Sequence, residues 1–236
     1  MNMNKQLGLI SAALELPFRE GQWHTVGDLR AAVEKIIADR KRHADFSAKL
    51  RTQFRFDVPW AKSWNEEFFP LKLFADHKKL SDDDSFRWTP SGAADFAVRT
   101  SNNTLDIQRT MAYPEWPAAA GKHAGQLHHL EMRQFNAQGY SYGGGLISRP
   151  HARGPEEDLE AWRSGIKNAL TNKLRPGYDR CGLLIFASGC QFDTVDSEFG
   201  EAVRPAVDAV VEWRRFFEAI YVLDAPSLAF SESHRD

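Results

Sequence analysis

The sequence predicts an α/β fold: a mixed central sheet flanked by helices, preceded by a helical N-terminal annex. Three observations carry this expectation. The first eighty residues show helical periodicity; short alternating or apolar runs separated by turn residues fill the stretch from Ser85 to Thr110; and helical patterns then alternate with two continuous apolar runs, Gly182 to Ala187 and Ala219 to Leu223. A hairpin followed by helix, strand, helix and strand requires both parallel and antiparallel pairing.

The elements follow in order. Leu29, Val33, Ile36 and Ile37 recur at spacings of three and four behind Gly27-Asp28, which offers a cap, while Arg30, Glu34, Lys35, Arg40 and Lys41 face water. A second helical stretch opens at Ser63-Trp64-Asn65-Glu66, which has capping-box form, and runs toward His77; Pro70 within it is expected to break or bend it. After the acidic turn Ser81 to Ser85 come three short strands, Ser85 to Thr89, Ala94 to Arg99 and Thr104 to Thr110, with turn residues Ser101-Asn102-Asn103 between the last two. Pro114 and Pro117 open an Ala-rich helix to about Gln138, and a glycine-rich loop at Gly143 to Gly145 follows. Glu156 to Leu174 is the next helix, with Leu159, Trp162, Ile166, Leu170 and Leu174 on one side. The two apolar strands read as covered on both faces and close the chain. Between them Glu198 to Phe217 reads as helix, with Pro205 at its first turn or at a break.

Composition bounds the partners. Thirty Lys and Arg against thirty-two Asp and Glu leave a formal net charge of -2, so any nucleic-acid or membrane-surface binding must come from a local patch. Apolar residues at 42% are enough for a packed core. The two cysteines, Cys181 and Cys190, bracket one apolar strand and sit too far apart along it to bridge, which fits a reducing compartment. Apolar runs fall short of the roughly 20 residues that cross a bilayer, and the opening Met-Asn-Met-Asn-Lys lacks an apolar export segment. The expectation is a soluble, cytoplasmic protein with no membrane partner.

The chemistry-bearing stretch is Ala94 to Thr110. Residues two apart in a strand share a face, so Asp106 and Gln108 project together while Leu105 and Ile107 enter the opposite layer. The turn at Ser101 to Asn103 can bring Asp95 beside them. Two carboxylates and an amide carbonyl form an oxygen-rich set suited to Mg2+ (or Mn2+), a hard cation that also accepts phosphate oxygens.

On these residues the sequence resembles the PD-(D/E)xK nuclease superfamily. Asp95, ten intervening residues and then Asp106-Ile107-Gln108 match the signature of an acid on one hairpin strand, with an acid, an apolar residue and Lys on the next. Two positions depart from it: Ala94 stands for the Pro, and Gln108 occupies the Lys slot. The resemblance spans about residues 63 to 224, which implies a nuclease-like core over residues 63–236 and the annex over residues 1–62. It implies a restriction-endonuclease-like core, metal-dependent hydrolysis of phosphodiesters, DNA as the nucleic-acid partner, Asp95 and Asp106 as metal ligands, and Gln108 positioning the attacking water. Glu66 or Glu67, from the helix before the sheet, is the implied third acid, either as a metal ligand or as a catalytic assistant. Arg109, Lys122, His129 and Arg133 are the implied phosphate contacts, and a homodimer is frequent in that family. A neutral Gln cannot offset an anion as an ammonium does, so a catalytically inactive nucleic-acid-binding or assembly module of the same fold stays open.

Other signals favour plain structural roles. His128, His129 and Glu131 lack a second ligand pair at metal spacing. Ser188 lacks the glycine two residues ahead that a nucleophile elbow needs. Trp60, Trp64, Phe68, Phe69 and Phe74 recur at helical spacing, as core residues do. Arg40-Lys41-Arg42-His43, with Lys49, Arg51 and Arg55, fits either a phosphate-binding patch or a solvated helix face.

Overall fold

A computed structural model describes residues 17–42, 67–90, 92–113, 155–178, 181–187, 196–224 and 229–235. The fold is α/β with mixed sheet pairing. It divides into two compact units, one of Met1–Ser91 and Phe96–Thr104, the other of Gly92–Asp95 and Leu105–Asp236.

The first unit pairs β1 (Trp23–Thr25), β2 (Ser85–Trp88) and β3 (Phe96–Arg99) antiparallel, with Trp23 opposite Arg87 and Phe86 opposite Val98. Pleating sends Phe86 and Phe96 to one face, where Phe18 and Phe68 meet them at tilted or edge-on angles with centroids 4.9 to 6.4 Å apart. Helix α1 (Val26–Arg42) buries Val26, Leu29, Val33 and Ile36, the face its periodicity announces. Its cap lies earlier than Gly27-Asp28 suggested: the Asp28 N–H donates to Thr25 Oγ1 at 3.0 Å and the Thr25 N–H to Asp28 Oδ2 at 3.4 Å. This is a reciprocal box, and it ends β1 as it starts the helix. Helix α2 (Phe69–His77) buries Leu71, Leu73 and Phe74. Pro70 sits in its first turn, directly after a π turn at Glu67 and Phe68, so the regular α-helix begins at the proline, where a missing N–H costs little.

The second unit holds β4 (Thr104–Ala112) from Leu105 onward, β5 (Cys181–Ala187), β6 (Phe217–Asp224) and β7 (Phe230–His234). β4, β5 and β6 run parallel, and β7 returns antiparallel to β6. Every residue of β5 is buried, as a strand covered on both faces demands. Helices α3 (Pro155–Thr171) and α4 (Asp196–Asp208) supply Trp162, Ile166, Leu170, Phe199 and Val203 to the core over Leu183, Ile185 and Val222. Arg163 Nε ties the two helices by donating to the Ala202 carbonyl at 2.8 Å. The expected helix to Phe217 stops at Asp208 and a 3-10 turn, Val211–Arg215, follows; Pro205 lies late in α4, its carbonyl accepting the Ala209 N–H. β7 is a strand beyond the two expected to close the chain.

The Ser63 cap, the Ala-rich helix from Pro114, the glycine triplet, Ser188 and Cys190 lie outside the described residues. Among the described residues, no helix is long and apolar enough to cross a membrane.

Candidate functional site

The site assembles around Asp95, immediately ahead of β3, within the second unit. Asp95 Oδ2 accepts two hydrogen bonds from β4: the Gln108 side-chain amide donates at 2.6 Å and the Arg109 backbone N–H at 2.7 Å. Gln108 is 5% exposed, one of two buried polar side chains among the described residues, so its amide is committed to this carboxylate and, more weakly, to the Arg109 carbonyl at 3.4 Å. The strand fixes this geometry. β4 runs in unbroken register with β5 from Asp106 opposite Cys181 to Ala112 opposite Ala187, and Ile107 between the polar positions is wholly buried.

Asp95 therefore meets the face of β4 that carries Gln108. Alternation places Asp106, half-buried and two residues earlier, on that same face. Asp95 keeps Oδ1 and Asp106 its whole carboxylate outside any hydrogen bond among the described residues. Carboxylate and amide oxygens are hard donors of the kind Mg2+ prefers. Among the described residues, no group of three or more His, Cys, Asp or Glu comes together.

Sequence reasoning gave Lys173 no part in the site. It follows α3 in the turn whose Lys173 N–H returns to the Leu170 carbonyl at 3.0 Å. Burial pushes its ammonium pKa below the ordinary value; the negative charge of Asp95 opposes that shift, while Arg109 and Arg175 add to it. Lys173 thus shares an electrostatic environment with Asp95 and Arg109. The signal was present as a lysine one residue ahead of Leu174, the last member of the apolar stripe, but nothing in the sequence said which strand that turn would approach.

The remaining expected residues fall differently. Arg109 contributes through its backbone N–H, and pleating turns its half-buried side chain to the face opposite Gln108. Glu67 is half-buried just ahead of α2 and belongs to the first unit. Glu66, Lys122, His129 and Arg133 lie outside the described residues. Compared with family models, curated proteins and solved structures, the chain matches none.

Proposed function

We propose that the protein is a metal-dependent nuclease of restriction-endonuclease-like fold acting on nucleic acid, with DNA the first substrate to try. The observation that supports this most is the fixing of Asp95 Oδ2 by Gln108 and Arg109, which aims the carboxylate at the strand face that also carries Asp106. Asp95 and Asp106 are the residues to hold Mg2+ or Mn2+, which when bound polarises a phosphodiester and acidifies a water. Gln108 then acts as a positioning residue, holding Asp95 in place. The cation absent from the Lys slot is assigned to Lys173, the described lysine whose ammonium feels the charges of both Asp95 and Arg109; in this reading its positive charge stabilises the phosphate as charge builds on it.

The test is nicking of supercoiled plasmid with Mg2+ or Mn2+ by wild type, Asp106→Asn and Lys173→Met. Wild type cuts, Asp106→Asn loses at least about 100-fold, and Lys173→Met loses a comparable factor. Equal residual cutting by all three removes the reading. A second reading, a non-cleaving nucleic-acid-binding module, draws on the same bond: a Gln amide given over to Asp95 supplies no charge to a substrate. DNA retention by wild type with no cutting under any divalent metal selects it.

A further inference from the structure

In the first unit, the sheet face turned away from Phe86 and Phe96 carries a stacked cluster. Trp23 stands opposite Arg87 across β1 and β2, and Arg99 stands opposite Ser85, one pleat along. Both guanidiniums lie over the Trp23 ring, with Arg87 Cζ 4.9 Å and Arg99 Cζ 4.2 Å from its centroid. Neither forms an ion pair with a described carboxylate, and Arg87 Nε is shielded from solvent with no acceptor among the described residues. Arg99 is exposed and Trp23 half-buried.

Arg30 shows what an arginine used for structure looks like here, since its donors are satisfied by Asp76, Asp82 and the Leu80 carbonyl. Arg87 and Arg99 instead place their flat faces on an aromatic ring, which leaves N–H edges for an acceptor outside the unit. Two like charges over one ring repel each other, and a polyanion relieves that repulsion. The ring and the guanidinium planes add flat surfaces on which an unpaired base can stack, and a duplex hides its bases from such a surface.

We propose that Trp23, Arg87 and Arg99 form a docking face for single-stranded nucleic acid, with the two arginine edges on phosphates and a base lying against the stack. The choice of polyanion rests on the nucleic-acid reading above, but the binding requires neither Asp95 nor Asp106.

The test is fluorescence anisotropy of a labelled oligothymidylate of about 15 nucleotides, in EDTA, across a salt series. The full chain binds with salt-dependent affinity, and the double variant Arg87→Gln/Arg99→Gln binds at least about 10-fold more weakly with a log-log salt slope smaller by about 1.4. Trp23→Phe, which keeps a π face, retains most of the affinity; thermal melts confirm that each variant is folded. Unchanged affinity in the double variant overturns the proposal, as does preferential competition by duplex DNA or by polyglutamate. Arginine-dependent binding without any plasmid cutting leaves this face standing and removes the nuclease reading. Cutting that survives beside arginine-independent binding does the reverse.

Discussion

The Gln108 amide nitrogen lies 2.6 Å from Asp95 Oδ2, and the oxygen it holds also takes the Arg109 N–H at 2.7 Å. One buried neutral side chain and one backbone group thereby fix a carboxylate that would otherwise swing freely at a strand's edge. Replacing Gln108 by Leu keeps the bulk and removes half of that support, leaving a partly buried anion short of a donor. The expected loss is about 1 to 3 kcal/mol of unfolding free energy, the cost of an unmet charged acceptor. Urea denaturation measures it, and a midpoint shift too small to resolve would show that the bond contributes nothing.

Two helical glycines respond oppositely to the same methyl group. A Cβ at Gly165 of α3 would collide with the Tyr113 carbonyl oxygen, a backbone atom that cannot swing aside, whereas one at Gly200 of α4 meets nothing nearer than Ser231 Oγ at 3.6 Å. Gly165→Ala is therefore expected to destabilise by about 1 to 3 kcal/mol or more. Gly200→Ala should leave stability unchanged or raise it by up to about 1 kcal/mol, since alanine restricts the unfolded chain. Thermal unfolding of the pair decides, and equal shifts would mean that α3 does not approach Tyr113 so closely.

The legible parts of the chain are those where one physical signal dominates. β5, wholly buried, showed as an uninterrupted apolar run, and α1 showed through the spacing of Leu29, Val33 and Ile36. β7 escaped because Ser231, Glu232, Ser233 and His234 are polar on both faces, and only pairing with β6 makes them a strand. β1 escaped for a related reason: three residues ahead of a helix carry too little pattern to read. The approach of Asp95 to the strand carrying Asp106 and Gln108 was legible from hairpin spacing. Lys173 was not, because a turn after a helix can approach any strand, and the bond between Gln108 and Asp95 depends on side-chain conformations that spacing does not encode.

Arg30 fastens α1 to the turn after α2. Its Nε bonds Asp76 Oδ1 at 2.9 Å, one terminal nitrogen pairs with Asp82, and the other donates to the Leu80 carbonyl at 2.9 Å. Burial lowers its pKa, but the two carboxylates more than offset this, and the group stays charged. Arg30→Met should cost about 1 to 3 kcal/mol, well above an exposed ion pair, because a carbonyl and two acids lose their donor together. Arg30→Lys should recover less than half, since one ammonium cannot span three acceptors in a plane. Full recovery by Lys would reduce the interaction to simple charge attraction.

Tyr221 is expected to lower the stability of the second unit in alkali. Its ring is buried in β6, stacked on Phe230 at 16°, and fills the space where a side chain at Gly182 would stand. Burial first, then the charges of Glu232 and Glu218, hold its phenol pKa well above the ordinary 10.0. The folded state thus keeps a proton that the unfolded chain gives up. The resulting stability is complete below pH 10 and falls as pH rises beyond it, by up to about 1.4 kcal/mol per pH unit for this one group, until the folded pKa is passed. Tyr221→Phe keeps the stack and has no proton to lose, so its unfolding free energy should decline less steeply above pH 10. Guanidinium unfolding at a series of alkaline pH values compares the two slopes, and parallel curves would place the alkaline transition on another group.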